Sequence, residues 1–452
     1  MLIATGALGC GPGGFAFDGS SFGDTGTGFG SETATSSDDP ASSSASSANP
    51  DPGTDTDSSD DWIETETDTG EPEPPEPLDP PECERTWTHL DTTPTHGHLG
   101  NTPIGGRSDG GFVSVNPVIG AGNDEVNVDA WFRSWSATGV LEWERYVSWA
   151  DHRDDPLVIV QDDLADLFIG GRTNANMVFE DAIVAALDGL SGDLRWTHHR
   201  GDGGAYTSLL HTGAALLAVG QIGSFGALGL ELIAFDPDTG AVLWSVAPEL
   251  DLVDVATRGV VMSGGLIDVL VADSSGGGEL QILRFEPPST ATTQLVSLAT
   301  GDPFTPHALA QLDTDSLVAL YSVGANETSS FLAVVERDSG QQLDSLAFGD
   351  LIQLLPDDLG EATNVEATQL VITPDGLGVA GTLWGEDNER KTFVLRLDSE
   401  LNPLCVGVMG KDDVEGLFHP PLLRGLTVGP TGELVTGSFA SNPRRSVFAR
   451  WN

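Results

Sequence analysis

Basic residues are scarce in this chain: its 452 residues carry 19 Lys and Arg against 69 Asp and Glu, for a formal net charge of −50. A phosphate backbone must be met by Lys and Arg, so this balance argues against nucleic acid and disfavours anionic membrane surfaces. The partners it leaves are cations, basic peptides, neutral polymers such as glycans, and other proteins. Cysteine is nearly absent too, at three residues, Cys10, Cys83 and Cys405. No CxxC occurs, which removes thiolate metal fingers, and there is no Walker loop or zinc-helix motif. Long apolar runs are also missing. The stretch Leu2 to Gly9 that ends at Cys10 is too short to span a bilayer and has no basic flank on its amino side.

What is present falls into three parts: 1–10, 11–82 and 83–452. Residues 11–82 hold no Lys or Arg and are dense in Gly, Ser, Thr, Asp, Glu and Pro. Such a segment buries too little apolar surface to offset its backbone entropy, so a disordered acidic linker is expected. Its run Glu71-Pro72-Glu73-Pro74-Pro75-Glu76-Pro77 is expected to be stiffer and extended. The run Asp55 to Asp60 has the acid spacing of a calcium loop without its central Gly, and reads as spacer.

From Cys83 onward, short runs of Val, Ile, Leu, Phe and Trp alternate with Gly, Asp, Asn and Pro, which argues all-β. A repeat is visible. Asp236-Pro237-Asp238-Thr239-Gly240-Ala241-Val242-Leu243-Trp244 follows the apolar strand Leu232 to Phe235, and Asp188 to Trp196 follows Ile183 to Leu187 in the same way. Gly139 to Trp143 is a third copy, with weaker ones near Ser289, Gly340 and Glu400. The unit is a hairpin: an apolar strand, a turn whose Gly permits positive φ, and an outer strand whose Trp packs between neighbouring sheets. A spacing of about 50 residues is that of a propeller blade. The carboxyl end supplies only three strands of a last blade. Arg85-Thr86-Trp87-Thr88-His89 shares a Trp-Thr-His core with Arg195-Trp196-Thr197-His198 and is expected to supply the missing outer strand. A seven-bladed β-propeller results, six or eight also fitting the spacing.

These units resemble the repeats of quinoprotein-like propellers, a group that includes the lipid-anchored propeller of the outer-membrane assembly machinery. The resemblance implies fold rather than activity. Quinone-dependent enzymes of that superfamily carry a vicinal cysteine pair and a calcium site, and this chain has no adjacent cysteines. Ala7-Leu8-Gly9-Cys10 in turn resembles the lipobox of bacterial lipoproteins, with Ala7 and Leu8 swapped relative to the usual order and the basic n-region missing; a start lying further upstream would supply one. That resemblance implies acylation of Cys10, and Gly11 after the cysteine implies the outer membrane or cell surface, with a periplasmic or secreted form as the alternative. If Cys10 carries lipid, Cys83 and Cys405 remain as a pair for a disulfide. Cys405 stands at the repeat position of Trp244 and Cys83 at that of the turn Gly, on outer strands of neighbouring blades whose separation challenges the bond's narrow Cα window.

The connections from each outer strand to the next blade lie on one face. They contain Asp91, Asp151, Asp202, Asp251, Asp302, Asp350 and Asp412, with His96, His98, His152, His198, His199, His307 and His419. Asp starts turns by capping its own backbone, and polar loops collect such residues. The sharper expectation is a rim that binds Ca2+, a transition metal, or a basic or polyhydroxylated ligand. Trp143, Trp196, Trp244 and Trp87 are expected to pack between blades, whereas Trp131, Trp135, Trp149 and Trp384 lie off the repeat and are freer to meet a ligand. Gly106-Arg107-Ser108-Asp109-Gly110 fits a nucleophile elbow by pattern, but a strand follows it rather than a helix, so a turn is expected. The function expected is a monomeric, lipid-anchored binding or scaffold protein of the cell envelope. The alternative is an exported lyase or hydrolase acting on polysaccharide through the rim.

Overall fold

The computed structural model describes residues 80–452 apart from 92–96, 99–102, 120–127, 150–152, 163–165, 175–180, 224–227, 251, 253–254, 274–277, 290, 301–302, 325–328, 352–361, 386–388, 416, 418–421 and 442–443. Cys10, the segment 11–79 and the calcium-like run therefore lie outside the described residues. The rest is almost wholly antiparallel strand. Sheet I comprises Gly97–His98 with Ile104–Gly106, then Phe112–Ile119, Val128–Trp135 and Leu141–Val147. Sheet II follows with Arg153–Gln161, Leu167–Asn174, Asp181–Leu187 and Leu194–Arg200, joined to sheet I by one parallel bridge between Val128 and Arg153. Sheet III is Gly204–His211 through Val242–Val246, sheet IV Val255–Ser263 through Thr292–Thr300, and sheet V Phe304–Gln311 through Gln342–Ala347. Sheet VI is Ala362–Thr373, Gly376–Gly385, Arg390–Leu397 and Pro403–Met409. Sheet VII is Leu422–Val428, Leu434–Ser441 and Arg444–Trp451, with Arg85–Leu90 as its fourth strand.

The hairpin repeat owes its residues to contacts between neighbouring sheets. Gly139, Gly192 and Gly240 hold φ of 76°, 74° and 70° at equivalent turns. A Cβ on Gly240 would come within 2.6 Å of Trp196, and one on Gly192 within 2.8 Å of Trp143, so each turn glycine lies against the preceding sheet's Trp. The indole nitrogens donate across the same seams, Trp143 to the Gly189 carbonyl at 3.1 Å and Trp196 to that of Pro237 at 2.9 Å. The motif's Asp closes the turn: Asp236 accepts from the amides of Asp238 and Thr239, and Asp188 from those of Leu190 and Ser191. These backbone hydrogen bonds hold both carboxyls below their ordinary range. Deeper in the seam between sheets IV and V, the fully buried Asp268 gathers Arg284 at 2.6 Å and Arg337 at 2.9 Å.

The strands at the two ends of the described head meet. Arg85–Leu90 pairs antiparallel with Arg444–Trp451, setting Thr88 opposite Ala449 and His89 opposite Phe448. Trp87 packs against Phe112 and Phe448 of the core shared by sheets VII and I, and beside Gly139. Cys83 and Cys405 form a disulfide with a Cα separation of 5.0 Å. The approach is close because residues 81–83 run alongside the outer strand of sheet VI: the Cys83 amide donates to Val406 and the Val406 amide to Pro81. The first strands also meet one another. A Cβ on Gly105 would touch Ile159, one on Gly259 would strike Leu309, and one on Gly106 would strike Thr427. Sheets II to VII each bulge in that strand, leaving Leu157, Thr207, Arg258 with Gly259, His307, Thr368 and Arg424 out of register. A bulge re-aims side chains and sharpens twist. Here it also links sheets, the Thr207 hydroxyl donating to the Thr257 carbonyl and the Gly259 amide to Ser208.

Candidate functional site

The rim residues fare unequally. His96, Asp151, His152, Asp251, Asp302 and His419 lie outside the described residues, as does the side chain of His98. Asp202 sits in the turn after sheet II, exposed and 3.3 Å from Arg200. Asp350 lies in the short helix Phe348–Leu351, and Asp412 in the single turn Lys411–Asp413, both exposed. His307 belongs to no connection. It lies in the first strand of sheet V, 2 % exposed, with Nε2 2.7 Å from the Ser322 hydroxyl, which continues to Ser330. Ser330 accepts from the Ala367 amide, so this buried chain ties sheet V to sheet VI. Its place on the rim is thus corrected: the strand at 304–311 begins earlier than the turn signals suggest. His198 and His199 likewise lie in a strand, Leu194–Arg200. Among the described residues, no three His, Cys, Asp or Glu side chains gather as a metal site.

Asp91 has a partner that sequence reasoning missed. Its carboxylate receives Arg133 at 2.5 Å, and both side chains are buried. The guanidinium lies 4.0 Å from the Trp131 ring centroid and 5.2 Å from that of Trp135, and it also donates to Asn116 at 2.7 Å. Burial pushes Arg133 below its ordinary pKa, and Asp91 opposes that push. Trp131 and Trp135, expected to be free for a ligand, are 1 % and 2 % exposed and form this cation's walls. Arg133 shares a strand face with both indoles, and because the strand Val128–Trp135 is buried along its whole length that face is dry. The elbow pattern at Gly106 to Gly110 is a turn between strands, closed by the Gly110 amide on the Arg107 carbonyl.

Two further polar groups stand near the same ends of the strands. Asp155 accepts Nε and Nη2 of Arg172 at 3.1 and 3.0 Å and holds Arg153 at 3.4 Å. Glu231 accepts the Tyr206 hydroxyl at 2.8 Å and Ser245 at 3.2 Å, with Arg200 at 3.5 Å. Burial first, then Glu231, pushes the Tyr206 phenol far up. These groups are engaged in structural hydrogen bonds. The remaining off-repeat tryptophan of interest is Trp384, which carries Arg390 over its ring at 3.9 Å.

Residues 133–344 match the family model described as outer membrane protein assembly factor BamB. No curated protein matches the chain. Among solved structures, BamB from Moraxella catarrhalis is 14% identical with a TM-score of 0.41, covering 82% of this chain and 99% of that one. A protein of unknown function from Dyadobacter fermentans is 8% identical with a TM-score of 0.47, covering 82% and 99%. The β-propeller domain of the trilobed protease from Pyrococcus furiosus is 12% identical with a TM-score of 0.44, covering 78% and 96%.

Proposed function

We propose that this β-propeller, whose residues 133–344 match a model of PQQ-like repeats, is a binding or scaffold protein of the cell envelope, a seven-bladed head held on a lipid at Cys10 by the tether 11–82. One observation supports the binding role most. Apart from Met262, every large apolar side chain found exposed among the described residues lies on an outer strand or its hairpin turn, including Leu141, Leu190, Leu194, Val242, Leu243 and Leu343. Leu141, Leu190, Leu194, Val242 and Leu243 belong to three successive sheets, I to III, and exposed apolar side chains that join into one patch mark a protein contact. The match of residues 133–344 to an outer-membrane assembly factor supports the envelope location. Among the described residues no helix is long and apolar enough to cross a membrane, so attachment in this reading rests on the lipid.

Mass spectrometry of the mature amino terminus tests the anchor: a diacylglyceryl cysteine at residue 10 is expected, and an unmodified upstream or downstream terminus refutes it. The binding role is tested by photo-crosslinking in intact cells from position 194. A discrete adduct, lost in Val242→Asp while the melting temperature is kept, is expected. An adduct pattern indifferent to that charge, or none, contradicts a margin-bound partner.

A further inference from the structure

The seam between sheets VI and VII ends in a polar cluster outside the rim loops. Strand register in sheet VI aligns Asn364, Trp384 and Arg390 in one row, and Glu366, Thr382 and Thr392 in the next. The bulge after Ala367 then sets Gln369 opposite Ala380. Ala380 and Val394 pack with Leu426 and Leu434, so this face looks toward sheet VII, and the bulge lets Glu366 and Gln369 share it although three residues apart. Sheet VII answers with Ser438, 3.4 Å from Thr392, and with Arg445, which shares a face with the packed Val447. Arg424 comes from the bulge of its first strand. Arg390 is held below its ordinary pKa by burial; Glu366 opposes this and Arg424 adds to it, so the Arg390 guanidinium has both a carboxylate and a second cation for neighbours.

Two features resist a purely structural account. First, although the chain has only 19 cations against 69 acids, Arg390 stands beside a second cation, Arg424, as well as beside Glu366. Second, Gln369 is 2 % exposed and neither its amide nitrogen nor its amide oxygen has a hydrogen-bond partner, and Arg424 Nε is buried in the same condition. Buried polar atoms are nearly always satisfied, and a planar guanidinium matches the oxygens of an oxyanion. An amide left with both a donor and an acceptor to offer suits a ligand that brings oxygen and hydroxyl together.

We propose that this seam binds a small oxyanion that also carries a hydroxyl, with Arg424 and Arg390 on its charge and Gln369 on its hydroxylated end. A uronic acid and hydrogen phosphate share that chemistry. The site is independent of the anchor and of the outer margin, so a chain that fails either of those tests can still pass this one.

Calorimetric titration and thermal melting of the full chain decide the matter, using inorganic phosphate, glucuronate and acetate against chloride at matched ionic strength. Saturable binding of phosphate or glucuronate is expected, with a midpoint that rises with concentration; which of the two binds tighter identifies the source. Acetate, lacking the hydroxyl, is expected to bind at least about tenfold more weakly. Arg424→Gln and Gln369→Leu are each expected to weaken binding about tenfold or more. Glu366→Gln removes a competing negative charge and is expected to tighten binding about tenfold. No response beyond that of chloride overturns the proposal, as does binding unchanged in both Arg424→Gln and Gln369→Leu. Should Arg424→Gln fail to fold, the isosteric Glu366→Gln still decides: unchanged or weaker binding refutes the site.

Discussion

Replacing Asp91 by Asn separates a structural from a ligand-binding role for the best-described rim carboxylate. The change keeps the shape and removes the charge facing Arg133, whose guanidinium is 1 % exposed and hydrogen-bonded to Asp91 at 2.5 Å. Two unit charges about 4 Å apart at an effective dielectric near 20 attract by about 4 kcal/mol. Stripping one partner from a buried pair typically costs about 3–5 kcal/mol, because the other charge stays buried. The ring faces of Trp131 and Trp135 still attract the cation and temper the loss. For a head of ~370 residues, an unfolding entropy near 2.1 cal/mol/K per residue turns ~4 kcal/mol into a fall of about 5 °C in melting temperature. Pairing the change with Arg133→Met removes the stranded charge as well, so the double variant should recover to within about 2 kcal/mol of the wild type. Scanning calorimetry of the four proteins measures the cycle. An Asp91→Asn protein melting within a degree of the wild type, or a double variant whose loss is the sum of the singles, would refute the coupling.

Other outcomes follow from the same contacts. Cys83→Ser opens a cross-link spanning 322 residues; the chain-entropy model puts its contribution near 6 kcal/mol as an upper bound, so chemical denaturation should show a loss of roughly 3–5 kcal/mol matched by reduction of the wild type. Gly240→Ala forces a Cβ against the rigid indole of Trp196 at a φ of 70°, for an expected cost of about 1–3 kcal/mol by urea melting, whereas the same change at exposed Gly213, where a Cβ meets nothing, should cost only the backbone share of about 1 kcal/mol. His89 and His198 are held below the ordinary 6.5 chiefly by burial, so the unfolded chain binds more protons. Their contribution is complete above about 6.5 and is lost as pH falls through the folded-state values, and a urea midpoint that drops on acidification less steeply in a His89→Gln, His198→Gln protein is the expected result.

Local chemistry explains which parts of this fold were legible in the sequence. The hairpins could be read because Asp236, Gly240 and Trp244 serve needs met within nine residues: a capped turn, a positive φ and a packing surface. The closing strand could be read because Trp87 must fill the place that Trp196 fills elsewhere, against the next sheet's turn glycine. What stayed hidden depends on several sheets at once. Arg133 takes its counter-ion from a residue 42 positions away and its walls from its own strand, and no alternation rule separates that from a solvated face. The bulges escape as well, since an extra residue such as Thr207 or Thr368 has no composition of its own. They also set His307 in its buried chain to Ser322 and bring Glu366 and Gln369 onto one face. Asp398, by contrast, repeats the turn-capping role through the amides of Glu400 and Asn402 without a glycine after it, Leu401 taking the positive φ instead.

Amide hydrogen exchange on residues 85–90 tests the closure of the head most directly, measured in Cys83→Ser so that the disulfide cannot mask the answer. Pairing with Arg444–Trp451 predicts that these amides exchange as slowly as those of 446–450, through the same opening. Exchange at the rate of an open chain, while 446–450 stays protected, would contradict it.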